Sequence, residues 1–319
     1  MPRHSRTPWQ DRLVDRAVRL TIGAMLVLPY RWRVPLAGWL FRQVGRMVGY
    51  RDRAEENLTY IFPDMPAPER RRIARAVLDN FGRVLIENYG TADQLARAHR
   101  WQPEGAGFAR AEEARAAGRA ILLVSGHFGN YQAVRAALNV RGYAVGGLYR
   151  AMNNPYLNDH YVASVAGIGG PVYPRDRRGL AGFVKTLRQG GQTAMLIDQY
   201  FADGVQLDFM GQPAPTSLSA AEMALKYDAL LIPAYAERSE NGLDFTITLE
   251  EPIVHSDPRR MTQALNHSLA ARVQARPGQW FWVHRRWKPG RQARYFPPYE
   301  PDEDRLEQER DPDQTPEGR

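Results

Sequence analysis

The chain has 319 residues, enough for one large α/β domain with appendages or for two small domains. It contains no cysteine, which excludes thiol catalysis, disulfides and thiolate metal sites. The net charge of +8 is uneven: residues 301–319 hold eight acids against three arginines, which puts that tail at −5 and residues 1–300 at +13. The first residues, 1–17, are polar and basic. Leu20–Tyr30 then reads LTIGAMLVLPY, eleven residues that as a helix would reach roughly 16 Å, short of the roughly 30 Å of a bilayer core. No small-residue cleavage site follows, which argues against a removed signal peptide. Beyond Pro35, the residues Leu36, Trp39, Leu40, Val44 and Met47 or Val48 recur at helical spacing, with Arg42 and Arg46 one turn apart on another face. An apolar stripe, an arginine face and flanking aromatics describe a helix lying in a membrane interface, and equally an amphipathic helix of the core.

Residues 69–90 predict a strong amphipathic helix with Ile73, Val77, Phe81 and Leu85 on one face. From there the pattern alternates. Ala120–Ser125 is a continuous apolar run that fits a strand buried on both faces. Ala133–Val140 reads as helix, Tyr143–Tyr149 as strand, Pro155–Ala166 as helix and Leu180–Leu187 as helix ended by Gly190-Gly191. Thr193–Ile197 is a strand, Ser219-x-x-Glu222 a capping box opening a helix to about Asp228, and Ala229–Ala236 and Leu243–Leu249 two more strands. This alternation predicts an α/β fold with a mostly parallel central sheet flanked by helices. Three segments follow: a membrane-associated helical segment at 1–50, the α/β domain at 51–300, and an acidic, disordered tail at 301–319.

The sharpest local feature is Ser125-Gly126-His127-Phe128-Gly129-Asn130-Tyr131-Gln132: a buried strand ends, a glycine-flanked histidine follows, and a helix begins. The ends of parallel strands are where α/β sheets place ligands, and a helix N-terminus offers N–H groups to a developing negative charge. A histidine there is suited to take a proton at neutral pH. Only three of the 43 basic residues are lysines, and arginine forks onto phosphate and carboxylate; genome base composition explains the same bias. The basic body suits a lipid surface, a phosphorylated substrate, an acidic carrier protein or nucleic acid.

The stretch Gly126-His127-Phe128-Gly129-Asn130-Tyr131-Gln132 resembles the catalytic block of the lipid A late acyltransferases, relatives of the glycerophosphate acyltransferases, whose signature is His, four residues, then Asp or Glu. Leu148–Pro155 is similar to the arginine block of that family, with Arg150, Asn153 and Asn154. Leu196-Ile197-Asp198-Gln199 is similar to its aspartate block, and Gln279–Lys288 to its C-terminal block, with Arg285 and Arg286. Arg53, Asn57-Leu58 and Phe62-Pro63 also fit, so the resemblance covers about residues 10–295. It implies a glycerophosphate-acyltransferase-like fold and acyl transfer from an acyl carrier protein or coenzyme A thioester to a hydroxyl of a lipid A precursor at the cytoplasmic face of the inner membrane, with a lysophospholipid or aminolipid acceptor as the alternative. It implies His127 as general base, an oxyanion held by backbone N–H groups near Gly129 and by Arg150, and Gly129, Asn130, Asn153, Asn154, Arg285 and Arg286 as substrate contacts. No metal or other cofactor is implied.

One position departs from the pattern. The acid that pairs with the histidine would fall on residue 132, which is Gln132. A glutamine carbonyl accepts a ring N–H and fixes the tautomer, but it supplies no charge. Either activity is reduced, or another carboxylate serves, with Asp198 the best candidate at the end of a neighbouring strand, or the chain is an inactive, lipid-binding relative. Arg150 otherwise reads as a surface salt bridge and Asp198 as a cap. Arg285 and Arg286 between aromatic residues also fit single-stranded nucleic acid, a reading set aside for lipid or core roles, and no nucleic-acid partner is expected. There is no G-x-S-x-G elbow, no H-E-x-x-H and no Walker loop.

Overall fold

The computed structural model describes residues 7–295, so the predicted tail at 301–319 lies outside the described residues. Five helices come first: α1 (Pro8–Val27), α2 (Tyr30–Met47), α3 (Tyr50–Ile61), α4 (Ala67–Tyr89) and α5 (Thr91–Ala98). The short strand β1 (Pro103–Glu104) and helix α6 (Ala106–Ala116) lead into an alternating run. It comprises β2 (Ile121–Ser125), α7 (Tyr131–Asn139), β3 (Gly146–Tyr149), α8 (Pro155–Gly167), β4 (Val172–Pro174), α9 (Arg177–Arg188) and β5 (Gln192–Leu196). A two-stranded antiparallel ribbon, β6 (Val205–Phe209) and β7 (Gln212–Thr216), precedes α10 (Ser219–Lys226), β8 (Leu230–Arg238) and β9 (Phe245–Leu249). Helix α11 (Pro258–Ala275), a 3-10 turn at Pro277–Gln279 and α12 (Pro289–Tyr295) complete the described chain.

The main sheet has the order β1-β9-β8-β2-β5-β3-β4. β8, β2, β5, β3 and β4 are mutually parallel; β9 pairs antiparallel with β8, and β1 follows β9. The mostly parallel sheet expected from the alternation is therefore present. Every residue of β2 is buried, as a strand covered on both faces requires. On one face Leu123 packs with Ala133, Val134 and Leu138 of α7, and on the other Leu122 and Val124 pack with Phe183 and Leu187 of α9 and with the alanines of α10. A second core closes over the sheet, where Leu58, Ile73 and Val77 meet Phe209, Trp280, Trp282 and Trp287.

Two local readings change. Helix α10 has Leu218 at its N-cap and no side-chain cap; Ser219 Oγ accepts instead from Ser217 Oγ, so the predicted capping box is not formed. The apolar segment from Leu20 is the second half of a longer helix, α1, that begins within the polar leader and packs against α8 through Asn154 and Tyr156. Among the described residues, no helix is long and apolar enough to cross a membrane. Helix α2 runs through Pro35 and turns Val34, Gly38 and Gly45 inward, while Trp32, Trp39, Leu40, Val44 and Met47 stand exposed.

Candidate active site

His127 lies just past the C-terminal end of β2, between its two parallel neighbours β5 and β8. At Gly126 a Cβ would come within 2.7 Å of a Leu269 methyl and 3.1 Å of an Asp198 oxygen, so a larger residue would have to displace the buried Leu269 side chain. Gly129 turns the chain with φ +54° and passes so close to the Ala236 carbonyl that a Cβ would overlap it. The loop is then tied from several sides. The segment after α11 runs antiparallel to it, with Phe281 N–H donating to His127 O and Gly129 N–H to Gln279 O, both at 3.0 Å. Asn80 donates to Gly129 O at 3.0 Å, and Asn130 N–H donates to Ala236 O at 3.2 Å.

The carboxylate that serves His127 comes from the end of β5. His127 Nδ1 lies 2.8 Å from Asp198 Oδ1, and the His127 backbone N–H donates to Asp198 Oδ2 at 2.6 Å. The Trp280 indole N–H donates to the same Oδ2 at 2.8 Å. Burial alone would raise the Asp198 carboxyl, but the imidazole of His127 and the N–H donors outweigh it and hold the group well below its ordinary range. An ionised Asp198 accepts from Nδ1–H, which leaves Nε2 of His127 with its lone pair free to take a proton. His284 packs edge-on against His127 with ring centroids 4.5 Å apart. Burial, and secondarily the neighbouring imidazole, push His284 down to about 3, so it is neutral at physiological pH and adds no competing charge.

Gln132, five residues beyond the histidine in the signature position, does not serve it. Its side-chain oxygen accepts from Arg135 at 2.9 Å. Arg135 is buried, donates also to Val145 O and Gly169 O, and is pushed by that burial down to about 10. The helix phase explains this: Gln132 and Arg135 are three apart on α7 and share a face. Several other predicted contacts have structural work. Asn130 caps α7, accepting from Gln132 N–H at 3.1 Å, and donates to Glu87, whose carboxylate is gripped by Arg238 at 2.6 and 2.8 Å. Asn154 caps α8 and donates to Asp11 O on α1 at 2.9 Å. Arg286 is fully buried and donates to Pro215 O at 2.7 Å and Thr216 Oγ at 2.5 Å, so it anchors β7. The Gly129 N–H is spent on Gln279 O and does not serve as an oxyanion donor. Asn153 and Arg285 are exposed and do not line the cavity at His127, whereas Arg150 does line it.

That cavity has a volume of about 840 Å³ and a mostly apolar wall. It exists because the sheet opens: β3 and β5 pair only at Gly146–Thr193 and Gly147–Ala194, then separate. Side chains on both faces of the sheet reach it. Leu123, Val134 and Val84 line it on the α4–α7 side, and Phe183, Val184 and Met223 on the α9–α10 side. Sequence reasoning missed Trp280 as a ligand of the carboxylate, and it missed His284 and Arg135. Trp280 and His284 lie within a block quoted for its resemblance, which was the available signal.

A His–Asp pair at a strand end, its carboxylate buried, thus opens on an apolar cavity. The profile of the bacterial lipid A biosynthesis acyltransferases matches residues 12–289. The chain belongs to that family. A lipid A biosynthesis acyltransferase of Haemophilus influenzae is 24% identical over 260 residues, covering 80% of this chain and 81% of the relative. The lipid A biosynthesis lauroyltransferase of Escherichia coli K12 is 25% identical, covering 73% of this chain and 77% of the relative. A phosphatidylinositol mannoside acyltransferase of Mycobacterium tuberculosis is 22% identical, covering 74% and 77%. Like these relatives, the chain is an acyltransferase.

Proposed function

We propose that this acyltransferase moves a fatty acyl chain from an acyl carrier protein or coenzyme A thioester to a hydroxyl of a lipid A precursor at the cytoplasmic face of the inner membrane. The observation that carries the reading is the His127–Asp198 pair facing an apolar cavity. Nε2 of His127 takes the proton of the acceptor hydroxyl as its oxygen attacks the thioester carbonyl. Asp198 holds the tautomer and stabilises the imidazolium, and the proton then passes to the departing thiolate. Arg150, at the cavity wall, is the group available to meet the oxyanion or an acceptor phosphate. The hydrocarbon occupies the cavity, where burial is worth about 0.8 kcal/mol per methylene.

The exposed apolar stripe of α2, continued on α1 by Trp9, Leu13, Leu20 and Val27, supports attachment to a bilayer surface by the N-terminal segment. The mycobacterial relative acylates a mannolipid by its name, which supports a second reading in which the acceptor is another glycolipid. The test of the chemistry is His127→Ala, expected to lower transfer by roughly 10²–10⁴ with the fold intact; retention of more than about a tenth of the rate removes His127 from the base role. Mass spectrometry of lipids from a strain lacking the chain separates the acceptors: loss of one acyl chain from lipid A supports the first reading, and an unchanged lipid A overturns it.

A further inference from the structure

A second groove, about 960 Å³, runs between the N-terminal half of α4 and the 3-10 turn that follows α11. Seven arginines line it, with a single carboxylate, Asp79. Their partners divide them. Arg42 and Arg83 share Asp79, Arg238 is held by Glu87, Arg72 reaches Glu69 and Arg276 reaches Glu237. Arg71 and Arg75 have no carboxylate partner among the described residues; both are exposed, and they stand one turn apart on α4.

We propose that this groove docks the acidic face of the acyl carrier protein that brings the donor chain. The inference rests on the reading of the chain as a thioester-dependent acyltransferase. Charge complementarity gives the sign of the partner, and the layout gives its kind. The lining spans from Pro68 to Arg83, roughly 22 Å along α4, with positive groups on its exposed side and at both ends. A compact phosphate is bound by converging, pre-oriented donors; here Arg71 and Arg75 stand exposed one turn apart on a helix, in a row of arginines otherwise tied to carboxylates, which suits the acidic face of a helix laid along α4. A membrane is less well matched, because the outward stripe of α2 points away from α4, whereas the groove lies between α4 and the turn at Pro277–Gln279.

The groove also lies next to the chemistry. Asn80 and Gln279 line it, and the adjoining Phe81 and nearby Phe281, stacked with centroids 4.1 Å apart, line the catalytic cavity. At its Asn80–Gln279 end the groove adjoins, across the Phe81–Phe281 pair, the room that contains His127. A carrier seated on α4 would present its acyl arm over this aromatic pair.

The experiment uses the full chain in detergent micelles, with purified acyl carrier protein as probe. Arg71→Glu/Arg75→Glu is expected to weaken carrier binding by at least tenfold, while wild-type binding weakens steeply with added salt. The double variant should keep its melting temperature and its turnover of a coenzyme A thioester of the same chain, since neither residue touches the active site. Unchanged carrier affinity in the double variant overturns the proposal. So does an equal loss with both donors. Weakened attachment to anionic phosphatidylglycerol vesicles with unchanged carrier affinity would assign the groove to lipid headgroups and likewise overturn it. Carrier binding is measured without turnover, so an inactive wild type would count against the proposed reaction and leave the docking result readable.

Discussion

Around His127 charge is buried; along α1 and α2 hydrocarbon is exposed. Both reverse the usual arrangement of a soluble domain, and they are supported differently. Asp198 is almost wholly out of water, yet its Oδ1 meets the imidazole and its Oδ2 meets two N–H donors. The site contains its own compensation, as a buried charge must. Trp32, Trp39, Leu40, Val44 and Met47 stand largely without such cover among the described residues, and a large apolar side chain left wholly in water forgoes about 1.5–3 kcal/mol. The first region is complete within the chain, while the second is the face that the proposed attachment to a bilayer surface would cover. The lesson is that burial of a polar group and exposure of an apolar one point to function for different reasons, one from internal satisfaction and one from its absence.

The largest effect should come from removing the compensation. In Asp198→Asn the shape is kept, but an amide cannot answer three donors and carry the charge. We expect transfer to fall on the order of 10³–10⁴, measured as initial rate on folded protein, with a lowered melting temperature. A loss of less than tenfold would mean that another acid supports His127. Next is acid sensitivity. His284 is pushed from 6.5 to about 3 in the fold, so below pH 6.5 the unfolded chain binds the additional proton and stability falls with pH until about 3. By pH 4 the loss should be about 3 kcal/mol, and His284→Phe should flatten the dependence of melting temperature on pH across that window. Asp198 acts at lower pH, because a depressed carboxyl gives up its contribution only as pH falls from its unfolded value near 4.

The exposed region is tested by Trp32→Ser/Trp39→Ser/Leu40→Ser. All three residues are at least 38% exposed, so the melting temperature should hold while partition onto vesicles drops about tenfold or more. Undiminished partition would break the contrast between the two regions. The smallest effect belongs to Gln132→Glu. The new carboxylate would pair with Arg135, not with His127, so the rate should change by less than about threefold while the protein gains stability from a neutralised buried cation. A tenfold faster enzyme would show that residue 132 reaches the histidine after all.

Much of the frame was legible in the sequence because it is local. β2, α4, α7 and β5 follow from runs and periods of apolar residues that any window reveals. The ribbon β6–β7 did not, since its second strand is QPAPT and its place is set by Gln263 and Asn266 of α11, which hold Asp208 from over fifty residues away. The partner of His127 was ambiguous for the same reason: 71 residues separate it from Asp198, and only the pairing of β2 with β5 brings them together. Asn130 and Asn154 looked like ligands through resemblance. Their position just ahead of a helix was an equal signal for capping, and capping is their role in the fold.

The parting of β3 from β5 has a consequence for motion. A continuous sheet keeps the two helical layers on its faces mechanically independent, each relaxing against its own side. Here an occupant of the gap touches α4 and α7 on one side and α9 and α10 on the other, so it acts as a rivet through the sheet. Binding of a long-chain ligand should therefore slow amide hydrogen exchange in both layers together, and a shorter chain that fills one side should protect only that side.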